Sequence, residues 1–185
     1  LQKDNNMLKW LWLTAVVVVL DQVSKLVASA YLTLHQPVEL LPIFNLTLMH
    51  NSGAAFSFLS DAGGWQRWFF ALLSIVISIA IFLWIKRLRH EPLQAASLAL
   101  ILGGALGNLI DRLVHGYVID FLDVYYRGTD CLPMFFVWNR GGQAECHWPA
   151  FNVADAAITL GVVLILIDTL RQHRVDRKLA AKYKD

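Results

Sequence analysis

The sequence predicts an α-helical polytopic membrane protein with four transmembrane helices, a small β-region outside the membrane and a lid-like segment beside it. Hydrophobic residues make up 57% of the 185 residues and charged residues only 16%, which is far from the composition of a soluble domain. Four apolar runs are long enough to cross a bilayer, at about 9–31, 66–86, 93–116 and 150–171. With no internal repeat in so short a chain, we expect one membrane-embedded domain over residues 1–185.

The first apolar run carries two opposite charges. Asp21 and Lys25 are four residues apart with the acid first, so on a helix they share a face and can pair. After this run, residues 38–40 and 45–49 alternate between apolar and polar, as half-buried strands do. We therefore expect a small β-region outside the membrane at about 34–64, followed by a second helix that carries no charge from Ala71 to Ile85.

The third run ends in a glycine-rich stretch that also carries polar side chains. Gly107 and Asp111 share one helix face, and Asn108 and Arg112 share the adjacent face. Small residues allow a neighbouring helix to come close, and ionisable groups inside a membrane are costly unless they serve a purpose. The alternative explanation is a structural helix pair with a buried ion pair.

The segment at about 121–149 lies between the third and fourth helices. It is aromatic and polar, and several glycines and Pro133 interrupt any regular pattern. We predict that it is irregular and lies outside the membrane, where it could close over a site. The fourth helix follows and carries Asn152 and Asp155 near its start.

The positive charges predict the orientation of the helices. Of the 16 Lys and Arg residues, 11 lie in the N-terminus, the turn at 86–90 and the C-terminal tail. By the positive-inside rule both termini are cytoplasmic, and the β-region and the 121–149 segment face outward. With a rise of about 1.5 Å per residue, the polar residues of helices one, three and four then reach one level near the outer surface. We interpret this convergence as a functional site.

Carboxylates are the residues best suited to chemistry at this level. The sequence has no His-Glu-x-x-His or paired Cys-x-x-Cys for zinc and no Gly-x-Ser-x-Gly turn for a serine nucleophile. Two aspartates held close can share a proton, and such a pair can activate water and protonate a departing amine. Asp120 and Asp155 are the favoured pair. Asp111 is the rival, although it lies deeper and adjoins Arg112, which suits a fixed ion pair.

Five blocks of the sequence together resemble the motif set of the lipoprotein signal peptidase (signal peptidase II) family. They occur in the family's order and span nearly the whole chain. The blocks are Asp21-Gln22-Val23-Ser24-Lys25, Asn51-Ser52-Gly53-Ala54-Ala55-Phe56, Gly107-Asn108-Leu109-Ile110-Asp111-Arg112-Leu113, Val118-Ile119-Asp120-Phe121 and Phe151-Asn152-Val153-Ala154-Asp155.

The resemblance implies an aspartic endopeptidase of the bacterial inner membrane, acting on the periplasmic side. The family removes the signal peptide from prolipoproteins just before a diacylglyceryl-modified cysteine. Its catalytic dyad falls on Asp120 and Asp155, which leaves Asp111 a structural role. Its substrate-binding or supporting residues fall on Asp21, Lys25, Asn51, Gly53, Asn108, Arg112, Asn152 and Ala154. We expect membrane lipid and the prolipoprotein as partners, no nucleic acid, no cofactor, no metal and a monomeric enzyme.

One departure from the family concerns the segment between Asp123 and His147, which is longer than expected. It contains Cys131 and Cys146. Both would face an oxidising periplasm, so a disulfide is expected, with buried free thiols as the alternative. Because the extra piece adjoins Asp120 and Asp155, it could alter the movement of the lid or the choice of substrate.

Two other classes of function remain as alternatives. A proton-coupled small-solute transporter would also carry intramembrane carboxylates, but it predicts polar groups across the whole membrane and often inverted repeats. A structural assembly factor with a buried ion network predicts that Asp-to-Asn changes affect folding more than activity.

Overall fold

The computed structural model describes residues 7–53 and 63–182, with side chains described as far as residue 177. Residues 54–62 lie outside the described ranges. They include Ala54-Ala55-Phe56 of the second sequence block and most of the last part of the predicted β-region. A short 3-10 turn, Met7–Trp10, leads into the first helix. The long helices among the described residues are α1 (Leu11–Tyr31), α2 (Trp65–Arg87), α3 (Pro92–Val114) and α4 (Val153–Lys182). Each is apolar and long enough to cross a membrane, which confirms the predicted membrane fold.

Helix α3 lies at the centre of the bundle and contacts the other three helices. Its glycines allow this, because a side chain at these positions would collide with a neighbour. A Cβ on Gly107 would lie 2.5 Å from Oδ2 of Asp21 on α1, and one on Gly104 would overlap the carbonyl oxygen of Ala154 on α4. The predicted close approach of helices at the glycine-rich stretch is therefore confirmed.

The strands form one antiparallel sheet beyond the ends of the helices. They are β1 (Val38–Leu41), β2 (Phe44–Asn51), β3 (Val118–Arg127), β4 (Phe136–Arg140) and β5 (Gln143–His147), in the spatial order β1-β2-β3-β5-β4. Strand β3 follows α3 after a short turn in which Gly116 adopts a φ of 89°, a conformation that favours glycine. The sheet is thus attached directly to the central helix.

The expectation of an irregular segment at 121–149 is wrong, because most of it is strand. β3 extends well into the segment, and β4 and β5 form a hairpin that pairs with β3. Gly141 and Gly142, which looked like breakers in the sequence, form the two-residue turn of this hairpin with φ values of 57° and 83°. Positive φ at both positions is what a tight hairpin turn requires.

A disulfide fixes the hairpin to the chain that leads into it. Cys131 and Cys146 are bonded, with their Cα atoms 5.4 Å apart. Sγ of Cys146 also lies 3.4 Å from the carbonyl oxygen of Gly128. The hairpin is therefore held both by strand pairing and by a covalent link.

Three predicted helix ends differ from those in the structure. The third helix ends at Val114 rather than about 116, because the positive φ of Gly116 turns the chain into β3. The fourth begins at Val153 rather than about 150, since residues before it bond to β3, and it continues past 171 to Lys182.

Candidate active site

A cavity of about 1070 Å³ lies between the sheet and the helix ends that are nearest to it, and both Asp120 and Asp155 line it. Its walls come from β2, α3, β3, the β4–β5 hairpin and α4. Asn51, Asn108 and Arg112 are among its polar lining residues. The cavity therefore gathers residues from segments that are far apart in the chain.

Asp120 is the third residue of β3 and lies opposite Met49 in β2. Its side chain is 3% exposed. Asn51 Nδ2 donates a hydrogen bond to Oδ2 at 3.1 Å, and Asn152 Nδ2 donates to Oδ1 at 2.7 Å. Burial, and then the negative charge of Asp155, raises the pKa of Asp120 to about 8, although both hydrogen bonds oppose this rise. Asp120 therefore retains its proton at neutral pH.

Asp155 lies in the first turn of α4. The side chain of Asn152 accepts a hydrogen bond from the Asp155 N–H at 2.9 Å, and the Asp155 carboxylate accepts one from the Asn152 N–H at 3.2 Å. This reciprocal arrangement is a capping box. Asn108 Nδ2 donates to the other carboxylate oxygen at 2.8 Å. Two donors and the positive end of the helix dipole thus offset part of the cost of burying a negative charge on Asp155.

A backbone bridge fixes the position of α4 relative to β3. The Phe151 N–H donates to the Leu122 carbonyl at 3.0 Å, and the Leu122 N–H donates back at 2.9 Å. This bridge is two residues from Asp120 on one side and one residue from Asn152 on the other. Because Asn152 contacts both carboxylates, its side chain and the bridge together hold the two aspartates at one site.

Beneath the cavity, an ionic cluster joins α1 and α3. Lys25 is 2% exposed, and its Nζ lies 2.8 Å from Asp21, 2.8 Å from Asp111 and 3.0 Å from Oδ1 of Asn108. Because an ammonium group can only donate, it orients the Asn108 amide so that Nδ2 points to Asp155. The ion-pair partner of Asp111 is therefore Lys25 on another helix, whereas the sequence suggested its neighbour Arg112.

Asp21 and Ala154, both predicted supporting residues, meet where α1 reaches α4. The Ala154 N–H donates to Oδ1 of Asp21 at 2.9 Å, so this carboxylate supplies a second cap for α4. Ala154 is fully buried and lies against Gly107. Asp21, Ala154 and Asp111 are outside the cavity lining, where they support the site from below.

Arg112 connects α3 to the end of β2. Its Nη2 donates to the Gly53 carbonyl at 3.0 Å, and Oδ1 of Asn51 accepts a hydrogen bond from the Gly53 N–H at 3.1 Å. The guanidinium lies 5.3 Å from the ring centre of Phe70 on α2. Its Nε is buried without a hydrogen-bond partner among the described residues. Arg112 thus links α3 to the chain after β2 and lines the cavity.

Sequence reasoning missed a buried pair that also lines the cavity. His147 Nδ1 lies 2.8 Å from Asp123 Oδ1, and Thr47 Oγ1 donates to the other oxygen of Asp123 at 2.7 Å. Asp123 could have been found from the sequence, because it is a charged residue in the largely apolar stretch Ile119-Asp120-Phe121-Leu122-Asp123. His147 could not be found this way, because its partner is 24 residues away.

The arrangement can perform acid–base chemistry with two carboxyl groups. Two carboxyl groups that face one cavity can share a single proton, so that one acts as an acid and the other as a base, which is the division of roles that an aspartic peptidase needs. Within the described ranges, no group of three or more His, Cys, Asp or Glu is placed to hold a metal ion.

Comparisons with known proteins agree with this chemistry. The family model for signal peptidase (SPase) II matches residues 13–171. Two proteins named lipoprotein signal peptidase are similar to the chain. The one from Acinetobacter baumannii (strain ATCC 17978) is 50% identical over 86% of this chain and 82% of that protein. The one from Pseudomonas aeruginosa (strain PAO1) is 47% identical over 90% of each.

Two solved structures share the fold. Both are described as bacterial membrane enzyme structures obtained by the in meso method. The one at 2.3 Å resolution has a TM-score of 0.70 and 30% identity, covering 89% of both chains. The one at 1.9 Å has a TM-score of 0.67 and 31% identity, covering 88% of this chain and 92% of that one. The predicted enzyme class, an aspartic endopeptidase, is confirmed, and the chain belongs to the signal peptidase II family.

Proposed function

We propose that this enzyme removes the signal peptide from diacylglyceryl-modified prolipoproteins, with Asp120 and Asp155 as its catalytic dyad. The observation that carries the proposal is that both aspartates line one cavity while Asp120 keeps its proton at neutral pH. The similar proteins from Acinetobacter baumannii and Pseudomonas aeruginosa, both named lipoprotein signal peptidase, support the substrate class.

In the proposed reaction, water attacks the carbonyl carbon of the scissile peptide bond. The charged Asp155 takes a proton from the water, while Asp120 donates its proton to the carbonyl oxygen. A tetrahedral diol intermediate results. Its C–N bond then breaks as the departing amine receives the proton held by Asp155, and Asp120 recovers its proton from a hydroxyl of the diol. Both carboxyl groups thus return to their starting states.

Arg112 and Asn152 have different parts in this reaction. Arg112 lines the cavity, and its guanidinium would bind a substrate carbonyl near the scissile bond. Asn152 contacts Asp120 and caps the helix that carries Asp155. It therefore fixes the separation of the two carboxyl groups.

The cavity suits a substrate that is partly embedded in the membrane. Its wall on α4 is largely apolar and includes the half-exposed Leu160 and Val163, which would face lipid. A signal helix and acyl chains could lie along this wall while the cleavage point reaches the aspartates. Apolar burial would then supply much of the binding energy.

We place the enzyme in the bacterial inner membrane, with both termini in the cytoplasm and the cavity facing the periplasm. The positive-inside rule supports this orientation, since the turn after α2 and the C-terminal tail are both basic. We further propose that it acts as a monomer without a cofactor. The alternative of a proton-coupled transporter is not favoured, because the chain belongs to a peptidase family.

The test is cleavage of a purified prolipoprotein by the enzyme in detergent micelles. We expect cutting immediately before the cysteine when it carries diacylglyceryl, no cutting of the unmodified precursor, and activity that survives a chelator. Mass spectrometry of both products identifies the bond. Equal cleavage of the modified and unmodified precursors would refute the proposed substrate class.

A further inference from the structure

The β4 strand is the free edge of the sheet on the side of the cavity. It pairs with β5 alone, and none of the other described strands lies on its far side. The hairpin has a two-residue turn, so Arg140 and Gln143, which flank the turn, form a hydrogen-bonded pair. Along an antiparallel ladder, hydrogen-bonded pairs alternate with pairs that form no hydrogen bonds to each other. Val137 and Asn139 therefore direct their N–H and C=O groups away from β5.

This free edge faces the cavity that contains the two aspartates. Phe136, Val137 and Trp138 all line the cavity, although consecutive strand residues point to opposite faces of a sheet. Three consecutive residues that border one space indicate that the cavity reaches the edge of this strand. The outward-directed N–H and C=O of Val137 are therefore next to the reaction site.

We propose that β4 binds the mature segment of the substrate, the extended chain that follows the modified cysteine, as an added strand. This inference rests on the proposed function. A peptide at a sheet edge forms main-chain hydrogen bonds, and its alternate side chains enter pockets. The signal helix and acyl chains belong in the membrane, so the mature segment is the part of the substrate that reaches the sheet.

The β4–β5 hairpin is built to keep this edge in place. The disulfide between Cys131 and Cys146 lies opposite Val137 in the register, because Cys146 is the β5 partner of Val137. On its other side, β5 pairs with β3, which carries Asp120. An added strand on β4 would therefore have a fixed position relative to the dyad. The hairpin thus acts as a specificity element for the substrate residues after the cysteine.

The test compares two lipid-modified substrates, one with eight residues after the cysteine and one that ends at the cysteine amide. Val137→Pro removes the outward N–H, and proline is tolerated on an edge strand where the N–H does not serve the ladder. We expect this variant to raise KM for the long substrate about fivefold, as for one net hydrogen bond, with kcat and Tm unchanged. KM for the short substrate stays the same. Val137→Ala keeps the N–H and is the matched control, expected to leave the ratio of KM for the long substrate to KM for the short one as in the parent.

A second measurement uses the unaltered enzyme. Methylation of the amide nitrogens at odd positions of the mature segment is compared with methylation at even positions. Only every second amide of an added strand faces its neighbour, so we expect one series to raise KM at least about threefold more than the other. Equal effects of the two series, or equal effects of Val137→Pro on both substrates, would overturn the docking site. A parent enzyme that cleaves neither substrate would instead overturn the proposed function.

Discussion

Removal of the buried ammonium group of Lys25 tests how the ionic cluster stabilises the fold. Lys25 contacts two carboxylates, on Asp21 and Asp111, each at 2.8 Å, and all three side chains are at most 2% exposed. Lys25→Met leaves two negative charges buried without their cation. Loss of one partner from a buried ion pair costs about 3–5 kcal/mol, so we expect a loss of this size in the free energy of unfolding.

A double-mutant cycle separates this effect from lost packing. Asp111→Asn in the Lys25→Met background removes one of the two uncompensated charges, while Asp21 keeps its hydrogen bond from the Ala154 N–H. We expect the double variant to be more stable than the sum of the two single changes by about 1–3 kcal/mol.

The assay is unfolding in detergent micelles, followed by tryptophan fluorescence. Lys9→Met removes an exposed lysine and is the matched control, expected to change stability by less than about 0.5 kcal/mol. Strict additivity of Lys25→Met and Asp111→Asn would refute the reasoning, because it would mean that the ammonium group and the carboxylate do not interact.

Three further predictions concern the dyad and the hairpin. Activity should fall as pH rises through about 8, because the raised pKa of Asp120 means that its proton is lost there; kcat/KM against pH measures this. Asn152→Ser should retain the helix cap but lose the amide's hydrogen bonds to Asp120 and to the Ile119 carbonyl, so kcat should fall at least about tenfold at a temperature where the variant is still folded. Cys131→Ser opens a loop with a sequence separation of 15 and should cost about 3 kcal/mol in a denaturant titration.

Each of these predictions has an outcome that would contradict it. Constant activity from pH 6 to 9.5 would show that the proton on Asp120 is not required. An unchanged kcat in folded Asn152→Ser would make that residue structural only. For Cys131→Ser, an unchanged denaturation midpoint would mean that the disulfide does not stabilise the fold by restricting the conformations of the unfolded chain.

The membrane helices could be predicted from local sequence, and so could the placement of Asp120 and Asp155 at one site. Long apolar runs specify helices of the required length, and Asp120 and Asp155 stand within motif blocks beside the ends of helices. The role of Lys25 was harder to predict. Its pairing with Asp111 joins residues 86 positions apart, and no periodicity within one helix contains that information. The adjacent Arg112 was the nearer candidate by sequence, but it bonds to Gly53 instead.

The β4–β5 hairpin shows a different limit of sequence reasoning. A Gly-Gly pair such as Gly141-Gly142 is compatible with an irregular segment and also with a tight hairpin turn. Local composition does not distinguish these two structures. The outcome depends on whether strands on both sides can pair, which here requires β3 as a third strand. An isolated hairpin is only marginally stable, so tertiary context decides the structure of this segment.

The central claim is that Asp120 and Asp155 are both required for peptide-bond cleavage. The most direct measurement is cleavage of a diacylglyceryl-modified prolipoprotein by Asp120→Asn and Asp155→Asn, with Tm measured on the same samples. Asp130→Asn, at an exposed position in the loop before the hairpin, is the matched control. We expect both dyad variants to lose at least about a hundredfold in kcat with folding retained, while the control cleaves normally. Normal cleavage by either dyad variant would remove that aspartate from the proposed reaction and return Asp111 to consideration.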